Sequence, residues 1–513
     1  MLLSMRAEQI KEVTLTGEPI SIEEFVAVAR YDAKVVFSPK YEECVRSGQQ
    51  RLQRVLDSGK AVYGVNTGFG DNVRYRISDD KLSLLQQNIL RSHACSVGHP
   101  MSRDEVRGNL IGSLVKAGYS CSGLRLEIPS LIRDFLNLGL TPYVPVEGSV
   151  GCIPYVTYLA LTIMGEGRIL IDGKPVPTAE VLKQYNLSPI QLHAKEGFAI
   201  MGTMGTGMAP AILGIYDSIN LMQHSLISAA LTSEALQCTD KHFDPRLLDV
   251  KKHRESSEVG SWIRSALSNS KIMESARETR VQDAVCIRLI PHLMGAVIHQ
   301  ITDTYESVCR ELASVVDNPV FLPDGTALMG SNWDTSYIAI GCDSLAIGLA
   351  TLGKELTTYT DRLVDTKLSG LPPFLTKEPG LNNGFMIVQY VTTGLNADIA
   401  YLSNPMSVVN TSVSAGQEAP NSRSDSAARK LVRVTEKLRS LVALTMMTAV
   451  QALDFIDLPP SPVNEAARQE IRRTVSFMAQ DDRMYERIEA MEQIIDSGVL
   501  LDIYKSHIGS FPL

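Results

Sequence analysis

The chain has 513 residues, of which 44% are hydrophobic and 21% are charged, and its formal net charge is −8. This balance supplies a large core and argues against nucleic-acid or membrane-surface partners. No uncharged apolar run reaches the ~18 residues that span a bilayer, and no signal-peptide pattern stands at the start. The eight cysteines form no CxxC pair and match no zinc spacing. These features predict a cytoplasmic protein without a metal ion.

The first eighty residues alternate between short regular segments and loops. A strand pattern at 13–16 is followed by Ser21 and Glu24, which have the spacing of a helix-capping box. Residues 41–58 have helical periodicity. The segment 61–76 has three glycines within seven residues, which predicts a loop.

Long helices are predicted for most of the remaining chain. Four segments are long, apolar and poor in proline, namely 205–238, 287–315, 336–362 and 384–403. Long helices joined by short loops are typical of bundles. We therefore expect a mainly α, elongated long-helix bundle with a smaller N-terminal part. The expected regions are an N-terminal part at 1–110 with the Tyr63 loop, a central bundle at 111–460 and a peripheral helical tail at 461–513.

The glycine-rich loop contains the most specific motif, YGVNTGFG at 63–70. A tyrosine on such a loop can approach a substrate closely and act as an acid or base if its pKa is lowered. The alternative is that Tyr63 anchors a surface turn. The motif resembles the signature loop of histidine and phenylalanine ammonia-lyases, which are aromatic amino acid ammonia-lyases. Other segments resemble that family in the expected order: 88–94, 194–197, 281–283, 317–319, 330–332, 371–374, 383–386 and 417–418.

The resemblance implies the fold of that family, a bundle of the histidine ammonia-lyase and fumarase-like type, and it implies roles for several residues. Tyr63 would be the catalytic base, and Arg288 would hold the substrate carboxylate, because a guanidinium fork matches two oxygens. His93 and Glu418 would face an imidazole-type ring. Further substrate-binding positions are Gly70, Asn332 and Gln417. Relatives form tetramers whose active sites draw on several chains, so we expect a homotetramer.

Each of these roles has a plainer alternative. Arg288 could form an intrahelical salt bridge, Asn332 could cap a helix, and Glu418 could be a solvated surface acid. Lys367 is a further substrate-binding candidate, because its ammonium could stabilise negative charge on the thione sulfur of a substrate with a thiolated imidazole ring. Its alternative is a solvated surface lysine.

The chain departs from the family where the electrophilic cofactor is made. The family cyclises an internal Ala-Ser-Gly that follows Gly-Ser-x-Gly. Here Gly-Ser-Val-Gly stands at 148–151, the next segment is about three residues shorter than the pattern, and no Ala-Ser-Gly occurs anywhere. Four neighbouring positions also differ from the family. Where the family has Asp-Leu-x-Pro, this chain has Cys-Ile-Pro-Tyr at 152–155, and where the family has Asn-Gly-Thr, this chain has Gly-Thr-Met at 202–204. A tyrosine of the family is replaced by Val285 and an asparagine by Gly416. We therefore expect no cofactor.

Elimination without an electrophile requires an amine that leaves unaided. A quaternary ammonium has no lone pair to add to an electrophile, and it departs as a neutral amine. With His93 and Glu418 pointing to an imidazole, the best candidate substrate is ergothioneine, a histidine betaine. The chain is then similar to an ergothionase, a carbon–nitrogen lyase that releases trimethylamine and thiolurocanate. Tyr155 and Phe69 are candidate contacts for the N-methyl groups.

Two other interpretations stay open. One is a histidine ammonia-lyase, which converts histidine to urocanate and ammonia. In that case the three residues that form the cofactor are missing from the sequence because the mature cofactor is a non-standard group. The other is a non-catalytic, ligand-binding homologue on an enzyme scaffold. The sequence does not choose between a thiolated and a plain imidazole ring.

Overall fold

A computed structural model describes residues 2–151, 153, 155–202 and 207–513. The expectations about Cys152, Pro154, Thr203 and Met204 lie outside these residues. The described chain is mostly helical, with short strands that pair locally.

The first half of the chain combines medium-length helices with short strands. The helices are Ile22–Tyr31 (α1), Pro39–Asp57 (α2), Leu82–His93 (α3), Arg103–Ala117 (α4), Glu127–Leu138 (α5), Tyr155–Ile163 (α6), Thr178–Gln184 (α7), Glu196–Gly202 (α8) and Met208–Ala235 (α9). The strands are Glu12–Leu15 (β1), Lys34–Phe37 (β2), Val97–Pro100 (β3), Thr141–Pro142 (β4), Pro145–Glu147 (β5), Arg168–Ile171 (β6) and Lys174–Pro177 (β7). Strands β1 and β2 pair in parallel, whereas β3–β5 and β4–β6–β7 are antiparallel.

The second half is dominated by longer helices. They are Pro245–Asp249 (α10), Arg254–Ala266 (α11), Lys271–Thr279 (α12), Val285–Leu312 (α13), Ser336–Val364 (α14), Thr366–Ser369 (α15), Met386–Leu402 (α16), Ser424–Leu453 (α17), Pro462–Thr474 (α18), Met484–Ser497 (α19) and Val499–Ile508 (α20). Strands Val320–Phe321 (β8) and Ala327–Leu328 (β9) form a hairpin between α13 and α14. Short 3₁₀ turns occupy Ala7–Gln9, Gly70–Arg74, Asp79–Lys81, Lys241–Phe243, Pro373–Leu375 and Ser414–Gly416.

The local sequence signals correspond to these elements. The Ser21 hydroxyl accepts a hydrogen bond from the backbone N–H of Glu24, and the Glu24 carboxylate accepts one from the N–H of Ser21. This reciprocal box satisfies two of the N–H groups that a helix start leaves unpaired. The predicted strand at 13–16 and the predicted helix at 41–58 are confirmed as β1 and α2.

The long helices build the core. The four predicted segments are confirmed as α9, α13, α14 and α16, while the 30-residue α17 was not singled out from the sequence. Helix α17 packs along both α9 and α14, and α9 is buried on nearly every side. A helix that is apolar all round belongs in the centre of a bundle. The expected mainly α, long-helix bundle is therefore confirmed.

Helices α13 and α14 form an antiparallel pair. Thr304 donates a hydrogen bond to the carbonyl of Gly341, and Gln300, one turn earlier, packs beside Gly348, two turns further along α14. The start of α13 therefore lies beside the end of α14. At 1.5 Å per residue, the two ends of this pair are separated by roughly 40 Å.

The pair α13 and α14 also carries exposed apolar surface. Both helices are long and apolar enough to cross a bilayer, but half of the most apolar window of each is buried inside the bundle, as in core helices. On α14 the exposed Tyr337, Ile340 and Ile347 recur with helical spacing. We call these three side chains the apolar stripe. On α16, Ile387 and Tyr390 are exposed as well, beside the opposite end of α14. Exposed apolar side chains that share one helix face mark an interaction site.

We expect the apolar stripe to be covered by other copies of the chain. The mass of the wild-type protein from sedimentation should be about four times the chain mass of 56.2 kDa, as the resemblance implies. Ile340→Glu places a charge in the stripe, where Ile340 is 59% exposed, and should shift the distribution to smaller species in analytical ultracentrifugation. Leu138→Glu is the control, because Leu138 is 45% exposed on α5, outside the stripe. A monodisperse, active wild-type monomer would contradict the prediction.

Candidate active site

Tyr63 lies in the loop after α2, and its phenol is fixed by the same loop. The Tyr63 Oη accepts a hydrogen bond of 2.9 Å from the backbone N–H of Gly70. Gly70 has φ +54°, and a β-carbon there would stand 2.6 Å from the hydroxyl of Ser414. A side chain at 70 would therefore be both strained and obstructed. The glycine allows the loop to turn back and present its N–H to the phenol.

The environment of Tyr63 affects its ionisation. Burial raises the pKa of the Tyr63 phenol, the hydrogen bond from Gly70 opposes that shift, and the charge of Glu418 adds to it. A phenol with a raised pKa is mostly protonated near neutral pH. To act as a base, it benefits from a positive charge that stabilises the phenolate.

A cavity of about 1300 Å³ opens beside this phenol. It exceeds the ~300–1,000 Å³ of ordinary small-molecule pockets. The predicted site residues that line it are Tyr63, Gly70, His93, Gln417 and Glu418. The structure thus brings together residues that are up to 355 positions apart in the chain.

His93 and Glu418 reach the cavity from two different elements. His93 is the last residue of α3, its Nδ1 lies 3.0 Å from the Ser92 hydroxyl, and burial lowers its pKa. It is therefore neutral at physiological pH and can accept or donate a hydrogen bond. Glu418 is half-buried and pairs through its backbone with Val413 across the 3₁₀ turn at Ser414–Gly416. A neutral imidazole and a carboxylate suit a polar heteroaromatic ring.

Asn332 lies next to the cavity without lining it. Its neighbours Ser331 and Trp333 are lining residues, while the Asn332 amide donates to the carbonyl of Val315 at 3.3 Å. The side chain is exposed. A change of rotamer would be needed to bring this amide to a ligand.

Arg288 and Lys367 are at the opposite end of the bundle from the cavity. Arg288 lies in the first turns of α13, whereas Val316, just after α13, and Trp333, just before α14, line the cavity. The 24 residues from Arg288 to Leu312 correspond to roughly 36 Å of helix. Lys367 follows α14 and is exposed at that same distant end. Neither residue can reach the cavity of its own chain.

Arg288 is nevertheless held in a defined position. Its Nε donates to the carbonyl of Asp283 at 3.0 Å, and the Gln282 amide, oriented with its oxygen inward, accepts two further hydrogen bonds from the guanidinium. The Asp283 carboxylate is itself buried and accepts hydrogen bonds from the N–H and hydroxyl of Thr239 and from Arg280. This network presents the guanidinium at the bundle end.

The two residues proposed to contact N-methyl groups have different environments. Phe69 lines the cavity. The expectation for Tyr155 is wrong: its side chain is 2% exposed, donates to the carbonyl of Val146 and is not among the lining residues. Sequence reasoning missed the lining aromatic residues Phe198 and Trp333. Each directly follows a recognised motif, at 194–197 and 330–332, so the signal was adjacent.

The electrophilic cofactor of the resembled family does not fit the residues present. A β-carbon on Gly151 would stand 2.4 Å from the Ser422 hydroxyl, so the backbone is packed closely there, and α6 begins at Tyr155. Only three residues separate these points, and no Ala-Ser-Gly is available in the chain to cyclise. Val285 is 57% exposed, and a β-carbon added at Gly416 would meet no atom within 4 Å. Neither supplies a polar side chain to support such a group.

Comparison with known proteins places the chain in a family. The family model for aromatic amino acid lyases matches residues 20–473. Histidine ammonia-lyases from Symbiobacterium thermophilum and Sorangium cellulosum are 33% and 34% identical, each over 96% of this chain and 98% and 99% of their own length.

Solved structures show the same fold. Histidine ammonia-lyase from Trypanosoma cruzi superimposes with a TM-score of 0.91 at 27% identity, covering 98% of this chain and 96% of that one. Ergothionase from Treponema denticola, an ergothioneine-degrading enzyme, superimposes with a TM-score of 0.87 at 25% identity, covering 96% and 100%. With nearly its whole length matched, the chain belongs to the aromatic amino acid lyase family, whose ammonia-lyase members are carbon–nitrogen lyases.

Proposed function

We propose that the protein is a carbon–nitrogen lyase that eliminates trimethylamine from a histidine betaine, with ergothioneine as the best candidate, to give thiolurocanate. The observation that carries this proposal is the absence of Ala-Ser-Gly from a chain in which only three residues separate the closely packed Gly151 from the start of α6. Without the electrophile, a primary amine is a poor leaving group. A tertiary amine leaves with the electron pair of the broken bond and needs no such activation.

The residues of the cavity suit this elimination. Tyr63 Oη removes a proton from the β-carbon, the C–H electrons form the double bond, and the C–N bond breaks with its pair going to trimethylamine. The proton remains on Tyr63 and is returned to solvent. His93 and Glu418 hold the ring, which delocalises charge that develops at the β-carbon. The Gly70 N–H stabilises the phenolate form of the base.

The proposed carboxylate clamp must come from another subunit. Arg288 lies roughly 36 Å along α13 from the cavity of its own chain, and the cavity is larger than a small substrate requires. In a homotetramer with bundles packed antiparallel, the Arg288 end of one chain would cover the Tyr63 end of another. The arriving guanidinium would bind the carboxylate and favour the Tyr63 phenolate. Lys367 and Gln282 would arrive with it, and Lys367 would then face the thione sulfur.

A second candidate is a histidine ammonia-lyase. The observation that favours it is the name of the relatives described above, which are histidine ammonia-lyases at 33% and 34% identity. The same cavity would accept histidine, because the ring contacts are shared. The chemistry is what separates the two, since that activity would require an electrophile for which this chain has no precursor. A binding protein without turnover is the third outcome.

The substrate prediction is tested by product analysis. Ergothioneine should yield trimethylamine and a strongly absorbing conjugated acid, and histidine should yield no ammonia. The activity should resist cyanide and borohydride, which attack electrophilic cofactors, and hercynine should be compared at equal concentration to test the role of the sulfur. Ammonia from histidine, or inactivation by either reagent, would instead support the ammonia-lyase. Tight binding of the betaines without turnover would support the binding protein.

The base is tested by Tyr63→Phe. Turnover should fall by ~10²–10⁴-fold, the usual contribution of a general base, with little change in oligomeric state. Since burial raises the pKa of Tyr63 and the phenolate is the active form, the wild-type rate should increase with pH through the neutral range, and the variant should lose that dependence. Tyr75→Phe is the control, because Tyr75 is an exposed tyrosine of the same loop. An unchanged pH profile in the Tyr63 variant would exclude Tyr63 as the base.

The shared site is tested by complementation. Arg288→Ala and Tyr63→Phe should each be nearly inactive, because each removes one half of every site. Co-expression of the two should restore activity to roughly a quarter of the sites, those that combine an intact Tyr63 with an intact Arg288 from different chains. Mixing Tyr63→Phe with His93→Ala is the control, since both lie in the same half and restore no site. Equal inactivity of both mixtures would place the whole site in one subunit.

A further inference from the structure

We propose that Tyr63, Phe69 and Phe198 form an aromatic subsite for the quaternary ammonium group of the substrate. The three rings, which we call the aromatic corner, all line the cavity. The proposal deepens the proposed function and rests on it, because only a betaine substrate brings a permanent cation with methyl groups to this place.

The rings are held close together. The centroids of Phe69 and Phe198 are 5.0 Å apart and tilted, while Tyr63 meets both edge-on, at 6.2 and 5.6 Å. These separations lie in the range of favourable aromatic pairs, so the rings hold one another in position. All three side chains are half-buried, and each retains surface toward the cavity. The corner is therefore formed before any ligand binds.

A glycine makes the corner possible. Gly64 has φ +67°, and a β-carbon there would stand 2.5 Å from Cδ1 of Phe198. The Phe198 ring therefore rests directly on the backbone of the Tyr63 loop. This contact joins α8, which carries Phe198, to the loop that carries the base.

The corner is at the right distance from the base. In the proposed elimination, the β-carbon lies next to Tyr63 Oη, and the ammonium nitrogen is two bonds of about 1.5 Å further away. A group within a few ångströms of the Tyr63 phenol is within reach of the neighbouring Phe69 and Phe198 rings. The negative faces of aromatic rings attract quaternary ammonium groups within about 6 Å of a centroid.

One nearby cation must be considered. Lys195 Nζ lies 5.1 Å from the Phe198 centroid, but Lys195 is fully buried and does not line the cavity, so it approaches from the protein interior. Its ammonium is paired with the buried Asp317 carboxylate at 2.7 Å. The pair is close to neutral as a unit, and the cavity side of the ring remains available to a second cation.

The corner should act mainly on binding. The positive charge is complete in the bound substrate and is still on the nitrogen while Tyr63 removes the proton, so the rings attract the substrate and this transition state alike. An interaction of equal strength in both states contributes to KM rather than to kcat. Release of trimethylamine is then favoured, because the rings hold the neutral amine less tightly than the cation.

The first test uses choline and its neutral tert-butyl analogue, which have the same shape and differ in charge. By isothermal titration with the full-length wild-type oligomer, choline should bind and the analogue should bind more weakly. Phe198→Leu should weaken choline binding by roughly 3- to 30-fold, the effect of one cation–π contact. Equal affinity for the two compounds, or no binding of choline, would overturn the subsite.

The second test uses substrate kinetics and a matched control. Phe198→Leu and Phe69→Leu should each raise KM for the betaine several-fold and leave kcat nearly unchanged. Phe477→Leu is the control, because Phe477 also lies against an aromatic neighbour, Phe455, and a lysine, Lys377, but outside the cavity. An unchanged KM in both cavity variants would overturn the subsite while leaving the proposed function intact. A choline preference without turnover of any betaine would instead overturn the proposed function.

Discussion

The length of the α13–α14 pair is the constraint on which the proposed site depends. A helix rises 1.5 Å per residue, so Arg288 and the cavity beside Tyr63 are fixed roughly 36 Å apart within one chain. No side-chain motion can close that distance. In the proposed tetramer, the oversized cavity and the apolar stripe are parts of the same arrangement, because both are surfaces that a second copy would complete. Catalysis in this scheme is inseparable from assembly.

The charges around the base have to be balanced across that assembly. Within one chain Tyr63 faces the carboxylate of Glu418. Burial raises the pKa of the Tyr63 phenol, so little of it is ionised to phenolate. A guanidinium from another chain would supply the missing positive charge only when the subunits are together. The Lys195–Asp317 pair contributes little to this balance, because both charges are buried and compensate each other. The isolated subunit is thus expected to be poor at proton removal, which limits reactions outside the closed site.

Much of the fold could be predicted from the sequence, because local rules and tertiary packing agree. The capping box at Ser21, the strand at β1 and four long helices follow from spacing alone. Helix α17 was missed because its first half is highly charged, although its apolar positions pack on α9 and α14.

The place of Tyr155 could not be predicted, since a helix start facing the core and one facing a cavity have the same sequence pattern. The role proposed for Arg288 requires a second chain, so it stays a proposal, and the division of the chain at 110 and 460 stays a prediction.

Under the proposed function, loss of the electrophile also explains why the residues that would surround it differ from those of the family. A side-chain amide or phenol that once supported a polar group becomes a liability when that group is absent, because a buried polar atom without a partner costs ~1–3 kcal/mol. Gly202, Val285 and Gly416 stand where the family has asparagine, tyrosine and asparagine, and they come from three separate elements, the end of α8, the start of α13 and the 3₁₀ turn before Gln417. Each replacement removes polar atoms. On this proposal, a single chemical change at 148–155 accounts for substitutions far apart in the chain, and it would leave the proposed base, ring contacts and carboxylate clamp free to serve a substrate that needs no activation of its leaving group.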